Sequence, residues 1–376
     1  MNADERVKAV LTEMSDAGLT AIIAVCGGVH AFQRPNAVFL LSGVRSLGES
    51  FVVLSDRGDS TLVVSPAWDA CRARERSKTT VTDGAADIRE ALAAAVGRIG
   101  LPPAKIGIVG LDSVSFAMGT WLSRTLTLGN GYRRFDAEFL RATQRKTAGE
   151  IANAERATRI AEQGWEMLLS IARPGMQELE LATEICNRMT ALGADDHFLM
   201  LSASQHARAV RPPSRRILEA GDVILCEMSP GFDGQFSQIC RTAVVGGLPD
   251  ILETKYELLR AAVRRGMKAA VPGACVADVV RAMNRILEEA GYAEFCVPPH
   301  MRARGHGLGV GSISPGDLTA DNRNILDRDM VFVIHPNQYM PETGYMMCGE
   351  PVVVTGAGAR PLTTRLATLD RIAVRQ

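Results

Sequence analysis

The chain has 376 residues, 47% of them hydrophobic, with 42 basic and 42 acidic side chains. That length exceeds what one hydrophobic core usually organises, so two domains are expected. A formal charge of zero gives no bulk attraction to nucleic acid or to an anionic membrane, and neither is expected as a partner. No apolar run approaches the roughly 20 residues that span a bilayer. The opening MNADERVKAVLTEM has the charge pattern of an amphipathic helix rather than of a signal peptide, so a cytoplasmic protein is expected. Eight cysteines are scattered without a CxxC pair and read as reduced thiols.

In chain order, Ala3 to Gly18 is predicted as a helix and Thr20 to Val25 as a β-branched strand. NAVFLLSGV, SFVVLSD, STLVVS and KIGIVGLD are predicted as further strands, with an alanine-rich helix over Asp87 to Ile99. Strands interleaved with helices imply an α/β layer domain over residues 1–140. From residue 141 a second domain is expected, opening with a long helical stretch over Glu150 to Ile171. Helices at Leu179 to Leu192, Lys255 to Ala270 and Val276 to Ala290 then alternate with strands at Val223 to Cys226, Ala243 to Val245, Met330 to His335 and Pro351 to Thr355.

Three segments of the second domain gather chemically able residues: GDVILCEMSPGFDGQFSQICRT from Gly221, RGHGLG from Arg304 and VIHPNQY from Val333. Glu227 follows the apolar DVILC, which argues against an exposed strand position. It is paired in prediction with Gln238 across a hairpin that turns at Pro230 to Gly234. His306 lies between glycines that let backbone and ligand approach closely. Cys240 beside Arg241 is a thiol open to activation, although a small buried hydrophobe is the commoner role. Arg208, Arg211, Arg215 and Arg216 cluster in one segment and Arg302 and Arg304 in another. Guanidinium forks of this kind suit a carboxylate-bearing substrate.

Together these segments resemble the metal-site scaffold of the creatinase/prolidase/aminopeptidase P family, the M24-like "pita-bread" hydrolases. The resemblance is good over about 141–365 and weak before it. It implies an N-terminal creatinase-like α/β domain over 1–140 and a C-terminal pita-bread catalytic domain over 141–376, of mixed α/β class. Metallopeptidases of the family hold two metal ions with Asp, Asp, His, Glu and Glu. Here those positions read Glu227, Gln238, His306, His335 and Gly349, so only the histidine is retained. A dinuclear site needs anionic oxygens to offset two dications, and the resemblance is therefore to the metal-depleted, creatinase-like branch.

This resemblance implies a homodimeric hydrolase of a C–N bond in a small, carboxylate-bearing molecule, with no metal cofactor and with peptidase activity disfavoured. His306, His335 and Glu227 are the implied catalytic groups, with Gln238, Arg45, Phe236, Cys240, Glu350 and Tyr345 binding substrate. Arg45 is expected to reach the partner subunit's substrate. Glu350 enters the site only if Gly349 forms a bulge that shifts the strand by one residue. Two alternatives stay open. One is a hydrolase or lyase using a single divalent transition metal on Glu227, His306 and His335, and the other is a non-catalytic binding protein on the same fold.

Overall fold

The computed structural model describes residues 3–28, 32, 35–99, 105–127, 132–310 and 313–374. Two units are present, one comprising the chain to Gly149 together with Val310 and the other the remainder from Glu150. The first unit is built from α1 (Ala3–Asp16), β1 (Ala21–Cys26), α2 (Ala37–Ser42), β2 (Ser50–Ser55), β3 (Ser60–Val64), α3 (Ala70–Arg76), β4 (Val81–Gly84), α4 (Ile88–Ile99), β5 (Ile106–Val109), α5 (Phe116–Thr127), β6 (Arg133–Arg134) and α6 (Asp136–Thr143). Its mixed sheet has the order β4-β3-β2-β1-β5-β6. All six residues of β1 are buried. Ile22, Ala24 and Cys26 face one core, and Ile23 and Val25 face the other. The continuous apolar run in the sequence is thus a central strand covered on both sides. Helix α6, which runs across the expected boundary at 140/141, belongs to this unit and ties to α1, with Arg6 donating to the Ala142 carbonyl at 3.1 Å.

One predicted strand is a helix. The Asn36 side chain accepts from the Phe39 amide at 2.8 Å and caps α2, and Gly43 (φ 74°) closes it in the left-handed region. Cap chemistry at both ends outweighs the β-preference of the Val-Phe-Leu-Leu letters between them.

The second unit continues with α7 (Ala148–Ile171), α8 (Glu178–Ala191), β7 (Asp196–Ser204), β8 (Val223–Phe232), β9 (Gln235–Phe236), β10 (Ile239–Val245), α9 (Asp250–Ala269), α10 (Val276–Glu289), β11 (Gly305–Gly307), β12 (Val331–Ile334), β13 (Gln338–Met340), β14 (Gly344–Met346), β15 (Glu350–Thr355), β16 (Gly358–Pro361) and β17 (Leu369–Ile372). One sheet runs β17-β10-β8-β7 with β9 also on β8, a second runs β11-β12-β15-β16, and β13 and β14 form a hairpin. The β8 turn lies at Asp233-Gly234, both with positive φ, inside the predicted turn region.

Period-two alternation along β8 decides which side chains face which core. Cys226 and Met228 pack beneath α7 and α8 with Ile160, Leu168 and Ile185, while Leu225 faces a second core with Tyr256 and Leu259 of α9. Glu227 shares the parity of Leu225 and so turns away from α7 and α8.

At the start of α8, Glu178 is almost fully buried and accepts from the Ala203 amide (2.7 Å), the Ser214 amide (2.9 Å) and the Ser214 hydroxyl (2.7 Å). Removing it strands two backbone donors, each costing about 1–3 kcal/mol when buried. Glu178→Ala is expected to lower unfolding stability by about 2–4 kcal/mol in urea titration, and Glu178→Gln, which keeps an acceptor, by less. A loss too small to measure in the alanine variant would show that these donors find other partners.

Candidate functional site

The site is built on a row of cross-strand neighbours. Met200 of β7 stands opposite Glu227 of β8, Glu227 opposite Cys240 of β10, and Cys240 opposite Gly349, just before β15. The last pair exchanges both backbone bonds, Cys240 N–H to Gly349 O at 3.3 Å and Gly349 N–H to Cys240 O at 3.0 Å, and so joins the two sheets of the unit. His335, just after β12, lies against this junction: a Cβ built on Gly349 would sit 2.6 Å from the His335 Cβ and 3.0 Å from the Cys240 Cβ. Only a residue without a side chain fits there.

His306 on β11 pairs with Val333 of β12, and its ring meets that of His335 edge to face at 5.4 Å between centroids. Its Nδ1 lies 3.1 Å from the Gly307 carbonyl. The flanking glycines are steric necessities. A Cβ at Gly305 would fall 2.0 Å from the Val333 carbonyl oxygen, and one at Gly307 would fall 1.8 Å from that of Ile313. Gln238, wholly buried between β9 and β10, accepts from the Ser229 hydroxyl at 3.2 Å. Its amide nitrogen lies 3.6 Å from the Cys240 sulfur, which in turn is 3.9 Å from Glu227 Oε2. Asn337, absent from the sequence-derived set, fixes the loop after His335 by accepting from the Cys348 amide at 2.9 Å. Its only sequence signal is its place in VIHPNQY.

Glu350 goes to the other face of the strand. Its oxygens meet Arg241 at 3.2 and 3.3 Å, the Thr363 hydroxyl at 2.6 Å and the Ala367 amide at 2.6 Å. Gly349 forms no bulge that would turn this carboxylate inward, and alternation places Glu350 on the face opposite His335. Tyr345 lies on β14, directly across from Tyr339 of β13. Phe236 is buried on β9 with its ring against Gly231. Arg45 belongs to the first unit, where its guanidinium lies 5.5 Å from the centre of the Phe39 ring. Of the sequence's basic clusters, Arg216 is held by Asp222 in a two-pronged pair at 2.6 and 2.8 Å, Arg302 pairs with Asp317, and Arg304 is buried among Asn284, the Asn337 carbonyl and Gln338.

Burial sets the protonation states. Desolvation raises the Glu227 carboxyl to about 7, offset in part by its contact with Cys240. It lowers His335 to about 3, with the neighbouring His306 pushing the same way, and lowers His306 as well. It also raises the Cys240 thiol well above its usual range, with the Glu227 charge adding to the effect. At neutral pH the row therefore holds two neutral imidazoles, a thiol rather than a thiolate, and a carboxyl near half-ionisation. Such a thiol is poorly suited to nucleophilic attack.

The donor set does not fit the two metal ions that the scaffold holds elsewhere. Gln238 offers a neutral amide already engaged by Ser229, and Gly349 offers neither a donor nor room for one. Among the described residues no three His, Cys, Asp or Glu side chains converge as metal ligands.

The fold has the pita-bread architecture of a hydrolase family. The chain belongs to metallopeptidase family M24, whose profile matches residues 152–356. It is 25% identical over 333 residues to the Xaa-Pro dipeptidase of Pyrococcus furiosus, covering 88% of this chain and 91% of that one. To the uncharacterised peptidase YqhT of Bacillus subtilis it is 26% identical over 259 residues, 68% and 72% of the two chains. The prolidase of Pyrococcus horikoshii superposes with a TM-score of 0.82 at 21% identity, over 97% of this chain and 99% of that one. These relatives correct the expectation that a creatinase-like reaction displaces peptidase activity. Ligand replacement alone gave too narrow a reading, because it reports on the metal and not on the bond that is cut.

The Glu227 shift carries a stability signature. Its folded value lies above the ordinary carboxylate value, so the folded state binds the proton more tightly and loses stability as pH rises from about 4.5 to about 7. His335 acts in the opposite sense, gaining stability as pH rises from about 3 to about 6.5. Glu227→Gln removes the first contribution only. The variant is expected to be more stable than the parent at pH 8, by about 1–3 kcal/mol, with the difference fading toward pH 4.5. Denaturant titrations at the two pH values check this, and equal stabilities at pH 8 would refute the burial cost.

Proposed function

We propose that the protein hydrolyses the C–N bond of a small peptide-like amide bearing a free carboxylate, using its own acid-base groups in place of a dinuclear metal centre. The observation that carries this reading is the Glu227–Cys240–Gly349–His335 row, in which a carboxyl poised near neutrality lies in line with a neutral imidazole whose ring meets that of a second, His306. Glu227 takes a proton from water as the oxygen attacks the carbonyl carbon. It returns that proton to the nitrogen as the C–N bond breaks, leaving a carboxylic acid and an amine. The ring N–H groups of His306 and His335 are the donors available to the developing oxyanion, and Gln238 holds the wall in place through Ser229 and Cys240. Dipeptides of the Xaa-Pro type are the first substrates to try, since a named relative acts on them.

Turnover of an Xaa-Pro panel is expected to survive exhaustive chelation, with fewer than one equivalent of transition metal per subunit by plasma emission analysis. Loss of activity on chelation and its return with added metal would overturn the metal-free reading. His306→Ala and His335→Ala are each expected to lower kcat by about 100-fold or more with a native circular dichroism spectrum, and kcat/KM of the parent is expected to rise through about pH 7 as Glu227 ionises.

The reading includes a cytoplasmic homodimer in which Arg45 reaches the substrate held by the partner. Arg45→Ala is expected to raise KM more than it lowers kcat. Subunit exchange between Arg45→Ala and His306→Ala proteins is expected to restore activity, because a mixed dimer would then carry one intact site. Verified heterodimers without recovery would assign Arg45 to its own subunit or to no site.

A further inference from the structure

The hydrolytic groups leave one buried charge without a role. Arg304, immediately before β11, is 1% exposed. Its Nε donates to Asn284 Oδ1 at 2.7 Å, one terminal nitrogen to the Asn337 carbonyl at 3.0 Å and the other to Gln338 Oε1 at 3.0 Å. All three acceptors are neutral. Among the described residues no carboxylate forms an ion pair with this guanidinium, and Cys296 beside it is a thiol that burial holds in its neutral form. A dry cation without a counter-charge is costly, and an apolar side chain would fill the same space without that cost.

What the cation holds is the segment that carries His335. The Arg304 carbonyl accepts from the His335 amide at 2.9 Å, while its fork takes the Asn337 carbonyl and the Gln338 side chain. Within this bracket the Asn337 amide turns back to the His335 carbonyl at 2.6 Å. Gln338 passes the constraint on by donating to the Phe295 and Tyr339 carbonyls at 2.9 and 3.0 Å. Asn284 refers the whole bracket to helix α10. The His335 ring, by contrast, has no anchor at Nδ1, which is buried and has no hydrogen-bond partner. Its placement therefore falls to the backbone that Arg304 grips. The same residue leads directly into His306, whose ring meets that of His335 at 5.4 Å.

We infer that Arg304 is the positioning residue of His335: its buried fork, rather than any bond to the ring, sets where that imidazole stands against His306. The functional half of the inference rests on the hydrolytic reading above. The shape of the group matters as much as its charge. A rigid plane with diverging donors reaches three oxygens at once, which an ammonium on a flexible stem does not reproduce.

Arg304→Lys keeps the charge and loses the fork, and Asn284→Ala removes only the anchor on α10. The ring-nitrogen NMR shifts of His335, identified as the resonances that vanish in His335→Ala, are read without substrate. They are expected to move in Arg304→Lys and, by less, in Asn284→Ala, while those of His197 on β7 stay in place. On the Xaa-Pro panel Arg304→Lys is expected to lower kcat by at least about tenfold with KM changed by less than about twofold. In a His335→Ala background the same change is expected to have no further effect, because a residue that acts through an imidazole loses its influence once the imidazole is gone. Unmoved His335 shifts in both variants, an equal loss of kcat with and without the His335 ring, or a rise in KM matching the fall in kcat would each overturn the assignment. Absence of turnover in the parent would sink the hydrolytic reading alone, since the nitrogen shifts still decide whether Arg304 places His335.

Discussion

The two-way backbone bond between Cys240 and Gly349 is the constraint on which the site depends. It joins the β7–β10 sheet to the β11–β16 sheet at one rung and brings Glu227, Cys240 and His335 to the same wall. One residue further along each strand, on the opposite face, Arg241 and Glu350 form a buried ion pair. Adjacent residues therefore divide the work by alternation, with the pocket on one face and the clamp on the other. A buried pair of this kind adds little net stability compared with an apolar core, but losing one partner leaves an uncompensated charge. Its geometry is accordingly narrow: the Glu350 oxygens are also occupied by Thr363 and Ala367.

Charge in the pocket follows from the same wall. The row carries a single carboxyl, Glu227, with the Cys240 thiol, the His335 imidazole, the Gln238 amide and Gly349 beside it. Desolvation dominates there, and it drives every titratable group in the row toward its neutral form. Proton transfer by a carboxyl near neutrality is the chemistry such a wall does best.

Much of this was legible in the letters. The apolar run of β1 and the amphipathic α7 to α10 carry local signals strong enough to survive tertiary context, and the three motif segments pointed to the M24 family that the profile match establishes. Segment 36–43 failed because its outcome lay in a side-chain cap and a left-handed glycine rather than in the hydrophobic pattern. The orientation of Glu350 was undecidable in sequence, since one residue of register exchanges the two faces of a strand. Asn337 was missed for another reason. Its bond from the Cys348 amide forms only once the β13–β14 hairpin between them has closed. The expectation that peptidase activity is disfavoured failed because the ligand residues speak to how a bond is cut and not to which bond it is.

The absence of space at Gly349 has a consequence for substitution. A carboxylate introduced there by one codon change would drive a Cβ into His335 and Cys240 before its oxygens reached any partner. The rung would have to open first, at the expense of the backbone bonds that hold the two sheets together. Packing here therefore acts as a filter on side chains, closing one position of the row to every residue larger than glycine while the surface remains free to vary.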